Sequence, residues 1–344
     1  MLITYHHSAR RAQLILTGLL LVAIASVALA CCIGSVALSF SEMLHALQES
    51  LQSTPSSLAA TLVELRLHRA LSAFVTGATL ALAGVLMQAL LRNPLADPYV
   101  LGVSGGAAVG ALSAMLIFGV AWMVDLAAFG GALAVAGLLF WLAYQDFKGS
   151  GSAEGSAATL LLTGVIVGSG CMAIITLILA ITPDGRLRSM VFWLIGDLSD
   201  APLRLYPWLI FLGVLIYVGK NARQINIAAL YSDSAGTLGV PVGRLRKILF
   251  FCAAILTASA VSSSGSIGFV GLIMPHACRF AWGPDHRLLL PASCLAGGSF
   301  LVLADTLARS IVAPQQLPVG VITALIGVPL FLLQLHQHRQ RIAK

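Results

Sequence analysis

Charges divide this chain into long apolar runs. No Asp, Glu, Lys or Arg occurs in residues 12–41, 70–91, 98–124, 126–145, 155–183, 205–219, 248–278, 288–304 or 310–338. A helix needs about 20 apolar residues to cross a bilayer core, and most of these runs are long enough for one crossing. The chain is 58% hydrophobic and 10% charged, whereas soluble domains carry about 25% charged residues. A soluble fold this apolar would expose large greasy patches. A soluble enzyme and a disordered chain are excluded on that ground. The formal charge of +7 does not indicate nucleic acid, because no dense Lys/Arg patch with interleaved aromatics accompanies it.

Residues 248–278 are too many for one crossing and too few for two full ones. Ser262-Ser263-Ser264-Gly265-Ser266 predicts a helix break, and Pro275 follows. One full helix and one short helix fit the stretch, provided protein covers the break. The positive-inside rule supports two crossings here. With ten spans and an inside N-terminus, the cytoplasmic residues are Arg10, Arg11, Arg92, Lys148, Lys220, Arg223, Arg244, Arg246, Lys247, Arg279, Arg287, Arg339, Arg341 and Lys344. That is 14 of the 20 basic residues, leaving Arg66, Arg69, Arg186, Arg188, Arg204 and Arg309 outside. With one crossing, Arg279, Arg287 and the last three move out, Arg309 moves in, and the 20 divide 10 against 10. Ten spans with both termini in the cytoplasm are therefore expected, in one membrane domain over residues 1–344. Arg10, Arg11 and Ala28-Leu29-Ala30-Cys31 loosely resemble a signal peptide. The first run exceeds the apolar core of about 7–15 residues in such signals, so it is expected to remain as a span.

Small residues four apart recur at Gly102, Gly106 and Gly110, at Gly164 and Gly168, and at Ala73, Gly77 and Ala81. They predict close helix packing within the bundle; a dimer contact through one such face is the sharper alternative. The six cysteines form no CxxC and read as buried thiols, without a disulfide framework or zinc site.

Two rival functions are weighed on their chemistry. Gly102-Val103-Ser104-Gly105-Gly106 matches GxSxG, so an intramembrane serine hydrolase would use Ser104. It would need a histidine base within reach, and His276 alone lies inside a later span. An ion-driven carrier needs ionisable groups at membrane depth. Here only Asp125 and Arg279 lie near span ends, so no relay is evident. A phosphate-binding loop is also lacking: Gly219-Lys220 is followed by Asn221, and Val214 stands where the first Gly belongs.

Three blocks then carry a resemblance. Arg66-Leu67-His68-Arg69 leads to Arg92-Asn93-Pro94-Leu95-Ala96-Asp97-Pro98-Tyr99-Val100-Leu101-Gly102-Val103-Ser104-Gly105-Gly106. Gly265-Ser266-Ile267-Gly268-Phe269-Val270-Gly271-Leu272-Ile273-Met274-Pro275-His276 precedes Arg279 and Asp285-His286-Arg287. Ala304-Asp305-Thr306-Leu307-Ala308-Arg309 precedes Leu317-Pro318-Val319-Gly320-Val321. Over nearly its whole length the chain resembles the FecCD family, permease subunits of bacterial ABC importers for iron chelates, haem and cobalamin. His68 departs from the Pro frequent there.

The resemblance implies an all-α integral membrane protein of the FecCD-type ABC importer (type II) fold, with about ten transmembrane helices per subunit and a short eighth one. It implies a place in the bacterial cytoplasmic membrane, in lipid, and a homodimer or a paired homologue. It implies two cytoplasmic ATP-binding subunits that use ATP and Mg, an external substrate-binding protein, no enzyme activity and no cofactor or metal held by this chain. The expected cargo is an iron–siderophore or related chelate, with haem or cobalamin as alternatives; no haem-ligating residue stands out beyond His276. Arg66, Arg69 and Arg309 match positions that dock acidic residues of the binding protein. The alternative is pairing within the chain, between Glu64 and Arg66 and between Asp305 and Arg309. Ala235, Gly236, Leu238, Gly239 and Val240, within a loop spanning about 228–243, resemble the element seated on the ATPase. Asn93, Pro94, Asp285 and Arg287 form turns on the inner face. The outer segment 182–204, with Trp193, flanks a gate, and Thr163 and Gly164 line the pathway.

Overall fold

The computed structural model describes residues 9–34, 41, 46, 49, 57–144, 153–199, 203–230 and 235–342. Lys148, residues 200–202 of the outer segment, residues 231–234 of the 228–243 loop and Lys344 lie outside the described residues. The described helices are α1 Ala9–Cys32, α2 Leu58–Leu91, α3 Val103–Ile117, α4 Ala121–Leu142, α5 Ala153–Ile181, α6 Asp184–Ile195, α7 Leu205–Lys220, α8 Ala222–Leu230, α9 Val242–Ser264, α10 Val270–Trp282, α11 His286–Ala308 and α12 Val319–Ile342. A 3-10 turn, Pro98–Leu101, precedes α3.

Ten of these helices coincide with the ten expected spans; α6 and α8 lie between spans. Helices α1, α2, α4, α5, α9 and α11 are each long and apolar enough to cross a membrane. Helices α3 and α12 have shorter apolar stretches, and α7 passes into α8 through a bend of 64°. The short helix is α10, whose 13 residues reach only about 20 Å. The break before it falls at Gly265–Phe269, at the C-terminal edge of the serine run. Gly265 has φ 71° and Phe269, a non-glycine, also has φ 71°. A left-handed conformation is costly for a bulky residue, so tertiary packing holds Phe269 there, with its Cβ against Gly327 of α12.

The core surrounds α2, which is buried over most of its 34 residues and packs against α1, α7, α9, α10 and α11. Ser57 caps its start by accepting from Ala60 N at 3.1 Å. It ends where Arg92 turns left-handed at φ 49°, and Pro94 prevents its continuation. Asn93 closes that turn, its Oδ1 accepting from Leu95 N at 2.9 Å. Asp97 then caps the 3-10 turn through Tyr99 N at 2.7 Å. Burial pushes the Asp97 carboxyl up to about 6, against the opposing pull of the Tyr99 N–H.

The small-residue spacings serve packing within the bundle. Gly106 and Gly110 of α3 abut the backbone of Gly131 and Ala127 of α4, and Gly77 abuts Gly297 of α11. Large apolar side chains such as Leu14, Leu21, Trp141, Leu162 and Ile166 point outward, as a lipid-facing surface requires. One expectation needs correction: only Cys171, Cys278 and Cys294 are buried, Cys31 and Cys252 are partly so, and Cys32 is exposed. Cys31 and Cys32 close α1, where the helix meets its neighbours only on one side.

Candidate functional site

Three constellations sit at the ends of the bundle. The first gathers three of the arginines expected outside. Arg66 and Arg69, three apart, share a face of α2 as their spacing requires, and that face turns inward. Arg66 is 7% exposed; its Nη1 donates to Cys31 O at 3.1 Å and Cys32 O at 3.3 Å. Arg309, 5% exposed, donates from Nη2 to Ala30 O at 2.7 Å. These are the last carbonyls of α1, which have no partner within that helix, so two guanidinium groups cap it. Arg69 grips Asp305 with Nε at 2.9 Å and Nη2 at 2.8 Å, and Arg309 Nε stands 3.5 Å from the same carboxylate. The expected alternative of Asp305–Arg309 pairing is therefore present, with Arg69 as the stronger partner. Only Arg69 reaches the surface, where Nη1 donates to the exposed Gln316 at 2.7 Å.

The second constellation is a cavity of about 680 Å³ beside α6, lined by Phe118, Asp125, Arg188, Trp193, Arg204 and Ser263 among others. Asp125 and Arg204 pair at 2.7 Å, which gives the carboxylate at the head of α4 a counter-charge. Arg186 donates to Met115 O and Leu116 O, at 3.2 and 2.8 Å, tying α6 to the end of α3. Arg188 lies over the Phe192 ring, 5.3 Å from its centroid. Trp193 lines this cavity, whereas Thr163 lies elsewhere on α5 with its hydroxyl on Thr159 O at 2.8 Å. Gly164 is closed against the backbone of Val100 and Leu101 and packs rather than lines an open path. The structure does not bring Thr163, Gly164 and Trp193 together.

The third lies at the opposite, basic end. Ala235 to Val240 form a tight turn closed by Val240 N on Ala235 O at 3.0 Å and Gly239 N on Gly236 O at 3.1 Å. Gly239 takes φ 80°, which a glycine adopts without strain. Ala235 and Val240 anchor the base, and Leu238 projects, 55% exposed. Asp285 caps α11 through Arg287 N at 3.0 Å. Sequence reasoning missed the partner of this cap: Asn226 of α8 donates to Asp285 Oδ1 at 2.7 Å. It also missed Gln88, whose Oε1 accepts from Arg279 at 2.9 Å. Neither residue carries a local motif that could have revealed it.

Ser104 opens α3 where Gly102 and Gly105 pack on Gly164, Gly168 and Cys171 of α5, a setting of small residues. Among the described residues no three His, Cys, Asp or Glu side chains converge as a metal site.

Among the described residues, a helical bundle with paired charges at its ends and apolar flanks defines a multi-pass membrane protein. The FecCD transport family pattern matches residues 8–337, and the chain belongs to that family of ABC importer permeases. It is 41% identical over 283 residues to the cobalamin import system permease protein BtuC of Halobacterium salinarum, covering 80% of this chain and 73% of that one. It is 40% identical over 290 residues to the hemin transport system permease protein HmuU of Yersinia pestis, covering 81% and 84%. A solved metal-chelate type ABC transporter, in an inward-facing conformation, superimposes with a TM-score of 0.80 at 30% identity, covering 94% of this chain and 99% of that one. The serine hydrolase reading finds no support.

Proposed function

We propose that two copies of this chain form the pathway of an importer in the bacterial inner membrane, with both termini in the cytoplasm. Two cytoplasmic subunits hydrolyse ATP with Mg, and an external binding protein delivers the cargo, an iron–siderophore or related metal chelate. Haem and cobalamin are the second reading, supported by the names of the HmuU and BtuC relatives. Leu238 carries the proposal: an exposed apolar knob on a rigid turn at the basic end suits a groove on an ATPase. Ala235, Gly236, Gly239 and Val240 hold its shape, and the turns at Asn93, Pro94, Asp285 and Arg287 brace the same face. Thr163 borders the pathway on α5, and Trp193 flanks its outer gate; Gly164 keeps α5 close to α3.

In liposomes holding the full assembly, chelate uptake is expected to require ATP on the ATPase side. Leu238→Asp is expected to abolish ATPase association and uptake. Its thermal stability should change by no more than about 0.5 kcal/mol, as for other exposed positions. Full-speed uptake by the chain alone, or by the variant, would sink the reading.

Docking of the binding protein uses the exposed edge of Arg69, with Arg66 and Arg309 holding that edge in place from below. Arg forms oriented, bidentate pairs with carboxylates. Gln316→Glu would offer Arg69 an internal carboxylate without disturbing the buried pair. The binding protein's affinity for the assembly should then fall by about tenfold, equivalent to about 1.4 kcal/mol. An unchanged affinity in a binding titration counts against docking at Arg69.

A further inference from the structure

We propose that Asn226 is the joint that transmits movement of the ATPase-facing loop to α11, and that α11 carries it to the outer arginine cluster. This rests on the importer reading above.

Asn226 uses its whole amide. Nδ2 donates to Asp285 Oδ1 at 2.7 Å. Oδ1 accepts from the backbone N of His286 at 2.9 Å and faces its ring Nδ1 at 2.7 Å. The assignment is self-consistent, because a carboxylate next to Nδ2 requires the NH₂ on that side, and Oδ1 then requires Nδ1 to carry its proton. The first N–H groups of a helix lack partners within it. At α11 two are satisfied from its N-terminal edge: Arg287 N by Asp285, and His286 N by a side chain from another helix, 60 residues away in sequence. His286 is buried, so its ring cannot leave this contact for water without repacking.

The two helices joined in this way have distinct places. Helix α8 is bent by 64° from α7 and precedes the Leu238 turn in the sequence. Helix α11 has 23 residues, about 34 Å, and ends with the buried Asp305 that both Arg69 and Arg309 hold. Hydrogen-bonded polar groups therefore fasten both ends of one helix. A shift of α8 pulls on the start of α11, and its far end moves the arginines. The Arg279–Gln88 contact ties neighbouring α10 to α2.

Asn226→Asp tests this. The new carboxylate faces Asp285 and loses the donor between them. In the reconstituted assembly, ATP hydrolysed per chelate imported should rise by about tenfold, as loss of a hydrogen bond to a charged group implies, while basal ATP hydrolysis persists. A wild-type ratio in the variant overturns the proposal. So does a parallel fall in transport and hydrolysis that tracks the amount of folded protein, because that marks a merely structural role. Amide hydrogen exchange on the full chain in detergent judges the joint separately: Asn226→Leu, which removes the acceptor of the His286 N–H, should speed exchange at His286, and unchanged exchange there overturns it. Wild-type assembly that imports nothing with ATP would fail the importer reading and leave the exchange result to decide the joint.

Discussion

Gly84→Ala is expected to disrupt the bundle at its centre and abolish transport. Gly84 lies in the buried part of α2, and a Cβ there would overlap the carbonyl oxygen of Gly271 in α10. That carbonyl is unusual. It stands four residues before Pro275, and proline has no N–H to donate to it. The α2 backbone approaches it closely, and only a hydrogen on Cα fits between. A methyl group there strikes backbone rather than a flexible side chain, so relief requires α2 and α10 to separate. Overpacking of a tight core costs about 1–3 kcal/mol, and a clash against backbone belongs at the upper end or above it. Gly170→Ala provides the control. It lies on α5 with nothing within 4 Å of its Cβ position, and alanine favours a helix by up to about 1 kcal/mol. Thermal unfolding of both variants in detergent should show a large fall for the first and none for the second. Equal midpoints would refute the close approach of α2 to α10.

The spans were legible because the bilayer imposes a constraint that charge placement records directly. Residues 12–41 and 155–183 could hardly be anything else, and α1 and α5 occupy them. The short α10 was legible from the serine–glycine run and Pro275, since both oppose a continuous helix. The left-handed Phe269 was not, because an aromatic residue adopts that conformation only when neighbours such as Gly327 shape the site. The glycine spacings gave packing but not partners: Gly77 meets Gly297, more than 200 residues away in sequence. The rim arginines show the sharpest limit. Their spacing placed Arg66 and Arg69 on one face of α2, yet not the direction of that face. Arg66 and Arg69 find backbone carbonyls of α1 and a carboxylate 236 residues beyond Arg69, which no local pattern contains; only the Asp305–Arg309 pair, four residues apart, was local. Asn226 was hidden for the same reason.

Asp305→Ala is expected to be the most damaging change at the rim. The Asp305 side chain is 2% exposed, and its oxygens hold Arg69 and face Arg309. Its loss leaves two guanidinium groups close together, poorly solvated and without their shared counter-charge. Breaking a buried pair by removing one partner costs about 3–5 kcal/mol, because the remaining charge is uncompensated. The effect spreads to α1, since Arg309 also caps Ala30 O. Asp305→Asn keeps the shape but not the charge, and should recover only part of the loss. Replacing charge by apolar volume on both sides, as in Asp305→Leu with Arg69→Met, should be milder than Asp305→Ala alone, since only Arg309 is then left without its counter-charge. Gln316→Ala removes only an exposed contact of Arg69, and should shift stability by less than about 1 kcal/mol. Melting temperature and yield in detergent rank the four variants. If Asp305→Ala melts with Gln316→Ala, then Asp305 is not the keystone of the cluster, and α11 has no firm attachment to the outer arginines through which to act.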